Sequence, residues 1–166
     1  MAKSPTKKTA TKRRRVSALG RRGLEIRRKV LGPDDVDASM AAMKDDDFMM
    51  MFFDATHEWC FGTIWDRPGL DWKTRSMLTL AIAASHGQTG AVKRHVRSAL
   101  RNGVTKDEIG EVFLHVYCYA GVYNSLSAFQ AAKEEFAVIE QEEKAKKAAA
   151  RASKQKARSR TRRTTK

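Results

Sequence analysis

Between positions 92 and 120 the chain reads as a helix, a glycine stop and a second, well-capped helix, and this run constrains the fold more than any other. Val92, Val96, Ala99 and Leu100 recur at helical spacing and define one apolar face. His95 falls among them, whereas Arg94, Arg97 and Arg101 turn the other way as a solvated face. Gly103 supplies the left-handed conformation of a helix stop, and Thr105 with Glu108 three residues on forms a capping box. In the second helix Ile109, Val112, Phe113, Val116 and Ala120 form the core face. Glu111, His115 and Tyr119 or Cys118 run along its shoulder at successive turns, a spacing that lets a carboxylate orient the imidazole.

The remaining segments are helical in pattern too. A short helix from Ser17 carries Leu24, Ile26, Val30 and Leu31 and stops at Gly32-Pro33; Asp34 or Asp35 caps the next, through Val36, Met40 and Met43. From Phe48 to Trp65 the residues Phe48, Met49, Phe52, Phe53, Thr56, Trp59, Cys60 and Thr63 recur at three and four, a stripe suited to a core or a subunit interface. Arg67-Pro68-Gly69 is a turn, and Asp71 caps a helix from Trp72 to Ser85 that is apolar nearly all round and is expected to be the buried central one. Gly121 ends the helix of His115, and Asn124 or Ser125 opens a last one through Leu126, Phe129, Phe136 and Ile139. No strand pattern and no nucleotide-binding glycine loop occurs, so the fold class is all-α.

A formal charge of +14 suggests a nucleic-acid binder until the charge is located. Residues 1–22 hold nine basic groups and no acid, and residues 144–166 hold eleven and no acid, leaving 13 basic against 19 acidic residues between 23 and 143, a net of −6. The organisation expected is a disordered basic arm over 1–16, a helical domain over 17–143 and a basic tail over 144–166, partly helical or disordered. The tails suit non-specific phosphate contacts but hold no aromatic residue for base stacking. No apolar run approaches the ~20 residues of a membrane span, and the N-terminus has no apolar signal region; a cytoplasmic location is expected. Cys60 and Cys118 match no zinc, disulfide or CxxC spacing and read as core thiols.

Several side chains could carry chemistry. Arg75, in the first turns of its helix, either snorkels at a domain edge or clamps an anion at a pocket rim, since guanidinium matches a carboxylate bidentately. Glu58, on the flank of the Phe48–Trp65 stripe, is either a solvated carboxylate or part of a site. A histidine alone is most simply structural; two on the inner sides of neighbouring antiparallel helices point towards a site. No third ligand stands at a spacing that would complete a metal centre.

The run Phe61-Gly62-Thr63-Ile64-Trp65-Asp66-Arg67-Pro68-Gly69-Leu70-Asp71, the triplet Thr74-Arg75-Ser76, and His95 followed by Ala99-Leu100-Arg101-Asn102-Gly103-Val104-Thr105 together resemble the carboxymuconolactone decarboxylase family. Glu108-Ile109, Glu111-Val112, Leu114-His115 and Tyr119-Ala120-Gly121 extend the resemblance, which covers roughly residues 20–137. It implies an all-helical homotrimer or homohexamer with sites at or near subunit contacts. A second, alkylhydroperoxidase-D-like branch needs a CxxC pair ahead of the histidine; Gln88 and Ala91 stand there, and Ser76 stands where that branch has an acid, so the resemblance is to the decarboxylase branch. That branch often has proline where this chain has Tyr123.

The resemblance implies cofactor-free, metal-free loss of carbon dioxide from 4-carboxymuconolactone or a related carboxylated lactone in aromatic catabolism. Arg75, or secondarily Arg67, would hold a carboxylate. His95 and His115 would divide oxyanion binding and proton delivery, with Glu111 or Glu58 orienting His115, and Trp65 and Tyr119 would wall the pocket. The rival reading is a nucleic-acid-associated protein that uses its basic tails on a catalytically silent scaffold of this type.

Overall fold

The computed structural model describes residues 16–164, with side chains through Lys154, and every regular element among them is helical. The basic arm expected over residues 1–16 lies, but for Val16, outside the described residues. Helix α1 spans Ala18–Leu31, α2 Pro33–Met43 and α3 Asp47–Ala55, which runs directly into a π-helical segment, Thr56–Trp65. Then follow α4 (Trp72–Ser85), α5 (Thr89–Arg101), α6 (Lys106–Ala120) and α7 (Val122–Thr164).

Two cores result. Leu80, Ala83 and Ala84 of α4, Val92, Val96 and Ala99 of α5, Ile109, Phe113 and Val116 of α6, and Ala128, Ala131 and Ala132 of α7 close one cluster. Ile26 and Val30 of α1 close the other against Phe61 and Trp65. Helices α5 and α6, although joined by the turn at Gly103 (φ 86°), each pack against α4 and α7 rather than broadly on one another. That turn forms as its sequence requires: Thr105 Oγ1 accepts from Glu108 N at 3.1 Å, and Glu108 Oε2 accepts from Thr105 N at 2.8 Å. Asp71 caps α4 by accepting from Thr74 N at 2.7 Å.

The second core depends on missing side chains. A Cβ at Gly23 would stand 1.7 Å from the carbonyl oxygen of His57, and one at Gly62 would stand 2.8 Å from that of Leu19. Helix α1 and the π segment thus approach backbone to backbone. Ser17 reinforces the contact, accepting from Gly20 N as the α1 cap while its hydroxyl donates to Glu58.

The structure corrects several expectations. The wider π turn changes which residues face inward: His57, Phe61, Gly62 and Trp65 are buried, whereas Trp59, Cys60 and Thr63, placed on the stripe by a 3.6-residue period, are exposed. Cys118 is exposed as well, because the α6 core stripe lies on the other side of the helix, so neither thiol is a core residue. Helix α4 is not buried all round, for Leu78 and Ile82 are exposed. Pro33 occupies the first turn of α2 with no side-chain cap, and Asp34 and Asp35 sit inside that turn. Asn124 and Ser125 do not open α7: Asn124 donates to Ser85 O and Ala120 O, and Ser125 to Phe113 O, tying the start of α7 to α4 and α6. Arg97 is no solvated residue, since it bridges Glu135 and Glu142 of α7.

Gly23→Ala should lower stability by about 1–3 kcal/mol or more, read as a fall in the urea midpoint, because the clash is with backbone. Gly110→Ala, whose added methyl would meet Phe129 no closer than 3.9 Å, should be neutral or stabilising. Equal effects at the two positions would contradict the close packing of α1 on the π segment.

Candidate functional site

On α5 the side chains divide by flank. Val92, Val96 and Ala99 face the core; Lys93 and Arg97 pair with α7; His95, Ser98 and Asn102 follow one another on the side towards α4 and α1. Asn102 Nδ2 donates to Ser76 Oγ at 2.9 Å, and Ser76 Oγ donates to Trp72 O at 2.7 Å, so the buried Ser76 locks α4 to the end of α5. His95 is half-buried above that lock. Burial, and then the neighbouring Arg94 charge, hold its imidazole below the ordinary value of 6.5. No hydrogen bond engages its ring among the described residues.

Arg75, Arg67 and Trp65 do come together, around the turn before α4. Arg75 Nε donates to Leu70 O at 3.1 Å and its Nη2 to Arg67 O at 3.2 Å, so the guanidinium braces the turn, and among the described residues Nη1 has no hydrogen-bond partner. Arg67 is exposed. Trp65 is buried among Ile26, Val30 and Phe61, and its carbonyl accepts from Trp72 Nε1 at 3.1 Å. Glu58 is half-buried at the N-terminus of α1, where a carboxylate favours the helix dipole.

His115 and Glu111, expected on the shoulder of α6 with His115 on its inner side, are both exposed: they fall nearly opposite the stripe of Ile109, Phe113 and Val116. His115 stacks on Tyr119, with ring centroids 4.5 Å apart, and Tyr119 is 80% exposed. No hydrogen bond or ring contact joins His95 to His115. A cleft of about 300 Å³ between α6 and α7, lined by Phe113, Phe129 and Phe136, contains none of these residues. Among the described residues no group of three His, Cys, Asp or Glu side chains could hold a metal ion, and no helix is long and apolar enough to cross a membrane.

A cluster that the sequence reading passed over lies under α1. Arg27 and His57 are only 8% and 3% exposed, and Arg27 Nη1 stands 3.0 Å from His57 Nε2. A guanidinium can only donate, so Nε2 is the acceptor and the imidazole is neutral, with its proton on Nδ1. Phe53 supports both: the His57 ring stacks on it, and Arg27 Cζ lies 4.8 Å from its centroid. Burial lowers the pKa of both groups. Among the described residues no carboxylate pairs with Arg27, whose other contact is Met40 Sδ at 3.6 Å. The available signal was Arg27 at helical spacing from Gly23 and Val30, and His57 four residues from both Phe53 and Phe61.

Comparison with known proteins places these features in a family. The family described as Carboxymuconolactone decarboxylase matches residues 51–134. The 4-carboxymuconolactone decarboxylase of Acinetobacter baylyi is 38% identical over 116 residues, which is 70% of this chain and 85% of that protein. The nitrosuccinic acid decarboxylase npaB of Metarhizium robertsii is 36% identical over 106 residues, 64% of this chain and 73% of that protein. An uncharacterised 15.0 kDa protein of Paracoccus denitrificans is 32% identical over 87 residues, 51% of this chain and 65% of that protein.

Folding lowers the pKa of both His57 and His95, so below their ordinary value of 6.5 the unfolded chain binds more protons than the folded one. Their stabilising effect is therefore complete above about pH 6.5 and is lost as pH falls below that value towards the lower pKa of the folded state. The melting temperature should drop between about pH 7.5 and 5.5, and His57→Gln, which keeps an acceptor for Arg27, should flatten that slope. An unchanged slope in the variant would exclude a neutral His57 as a source of the pH dependence.

Proposed function

The chain belongs to the carboxymuconolactone decarboxylase family, and on that premise we propose that it is a carboxy-lyase acting on 4-carboxymuconolactone or a related small carboxylated substrate of aromatic catabolism. The observation that carries the reading is the state of His95: half-buried, held neutral, and without a protein partner for its ring, it can meet a ligand. His57, whose pKa is also lowered, is engaged by Arg27 and cannot do the same.

In the reaction the bond between a ring carbon and its carboxylate breaks. The electron pair moves through the double bond towards the lactone carbonyl, and the far carbon then takes a proton. A neutral imidazole suits the first demand: at neutral pH its N–H donates to the developing oxyanion, whereas a depressed pKa leaves little imidazolium to act as an acid. We therefore assign His95 to the oxyanion and proton delivery to His115, oriented by Glu111 or Glu58. Arg75 offers a carboxylate its Nη1 side, its other edge being committed to the 67–70 turn. The chemistry needs neither metal nor organic cofactor. A thiol mechanism would lack its pair: Gln88 and Ala91 stand ahead of His95.

His115, Glu111 and Tyr119 lie on an open face, so a second copy of the chain is needed to enclose them. Phe48, Met51, Phe52, Trp59, Tyr119 and Tyr123 all expose most of their area, more apolar surface than an isolated domain sustains, and a homotrimer or homohexamer would cover it. The names of the relatives widen the choice of substrate, since loss of carbon dioxide from nitrosuccinic acid likewise leaves an anion delocalised on to an electron-withdrawing group.

A spectrophotometric assay on freshly generated 4-carboxymuconolactone, run beside nitrosuccinate, tests the reading. His95→Ala should lower turnover by ~10²-fold or more while the melting temperature changes by only a few degrees. Full activity in the folded variant would remove His95 from the reaction, and absence of turnover on carboxylated lactones by the wild-type chain would remove the substrate class.

A further inference from the structure

Helix α7 changes character along its length. Its first turns pack Ala128, Ala131 and Ala132 into the core, and Glu134, Glu135, Glu140 and Glu142 pair with Lys93, Arg97 and Lys106. After Glu143 the acids end, yet the helix continues unbroken to Thr164. Residues 144–164 contain ten Lys and Arg and no acid, and side chains 144–154 are all exposed.

The spacing of those charges is ordered. Lys144, Lys147, Arg151 and Lys154 follow at intervals of three and four, which is one face of a helix, and the sequence continues the series at positions 158 and 162. At about 1.5 Å per residue the extension runs ~30 Å, close to the ~34 Å turn of a DNA duplex. Like charges at i,i+4 repel one another, so this stripe is at its least favourable when it faces only solvent. No ion pair from the body neutralises it among the described residues.

We propose that residues 144–164 are a helical arm that binds the phosphate backbone of double-stranded nucleic acid, reading charge rather than sequence. The duplex carries one negative charge per ~1.7 Å of axis, so every cation of the row can find a phosphate, and release of condensed counterions drives the association. The only apolar side chains in the segment are alanines. An amphipathic membrane helix needs a Trp, Phe or Leu face, and a single-strand binder needs aromatic platforms; the arm has neither. The proposal is independent of the decarboxylase reading, for it uses no residue assigned to that site.

The test is fluorescence anisotropy of a labelled 24-base-pair duplex against the full chain and against a variant carrying Lys144→Gln, Lys147→Gln, Arg151→Gln and Lys154→Gln, over a series of salt concentrations. The wild-type chain should bind a scrambled duplex equally well. The variant should bind at least ~10-fold more weakly at low salt, and its slope of log K against log salt should be shallower by about 3 to 4. Unaltered helicity by circular dichroism and unaltered decarboxylase turnover would confine the change to the arm. Equal binding by the two proteins, absence of binding by the wild-type chain, or binding to phosphatidylserine vesicles without binding to duplex would each overturn the proposal.

Discussion

The N-terminal half of the domain depends on one backbone contact, the seating of α1 against the π segment at Gly23. Where a side chain would begin, the carbonyl of His57 already stands. This approach brings Ile26 and Val30 on to Phe61 and Trp65, and it carries Arg27 and His57 inward with them. Along the π segment His57, Phe61 and Trp65 recur at four-residue steps, and all three are buried.

That seating explains how a guanidinium is tolerated almost out of water with no carboxylate paired to it among the described residues. Removing a cation from solvent is costly, and the usual remedy is a carboxylate. Here the remedy is distributed: a neutral imidazole accepts an N–H from Nη1, the same nitrogen contacts the Met40 sulfur, and the face of Phe53 receives the charge. Each contact is weak in water and stronger in the interior. The arrangement also fixes the protonation of His57, because a second proton would turn the acceptor into a donor facing a donor. The two depressed histidines thus separate by environment, one locked into packing and one left with a free ring.

What the sequence made legible was local. Asp71, the Thr105–Glu108 box and Gly103 each act within four residues, and each appears as read. The all-α class and the core faces of α5 and α6 followed from a 3.6-residue period that those helices obey. The period failed at Thr56–Trp65, where nothing within the segment announces a π turn; the cause lies across the contact, in α1. His115 was misplaced for a related reason: a shoulder position on a helical wheel becomes inward or outward only once the neighbours are known, and α5 and α6 take theirs from α4 and α7. The roles of Arg75 and Glu58 were equally dependent on tertiary partners, the carbonyls of the 67–70 turn and the hydroxyl of Ser17.

The charge distribution follows from the same division between body and extension. Within the body the carboxylates of α7 are consumed pairwise by α5 and α6, and Arg97 alone occupies two of them. Those pairs orient α7 along the domain, adding side-chain register to a seam whose fully buried apolar residues are alanines, flanked by Phe129 and Phe136. Glu140 and Glu142, paired with Lys106 and Arg97, also feel the charges of Lys144 and Lys146, and beyond Glu143 the helix carries no acid. Among the described residues no carboxylate of the body forms an ion pair with the arm. The excess positive charge is therefore carried outward on a helix whose start is firmly anchored, and it is this anchoring, through Ser125, Asn124 and the Glu135–Arg97–Glu142 bridge, that gives a row of mutually repelling cations a fixed direction.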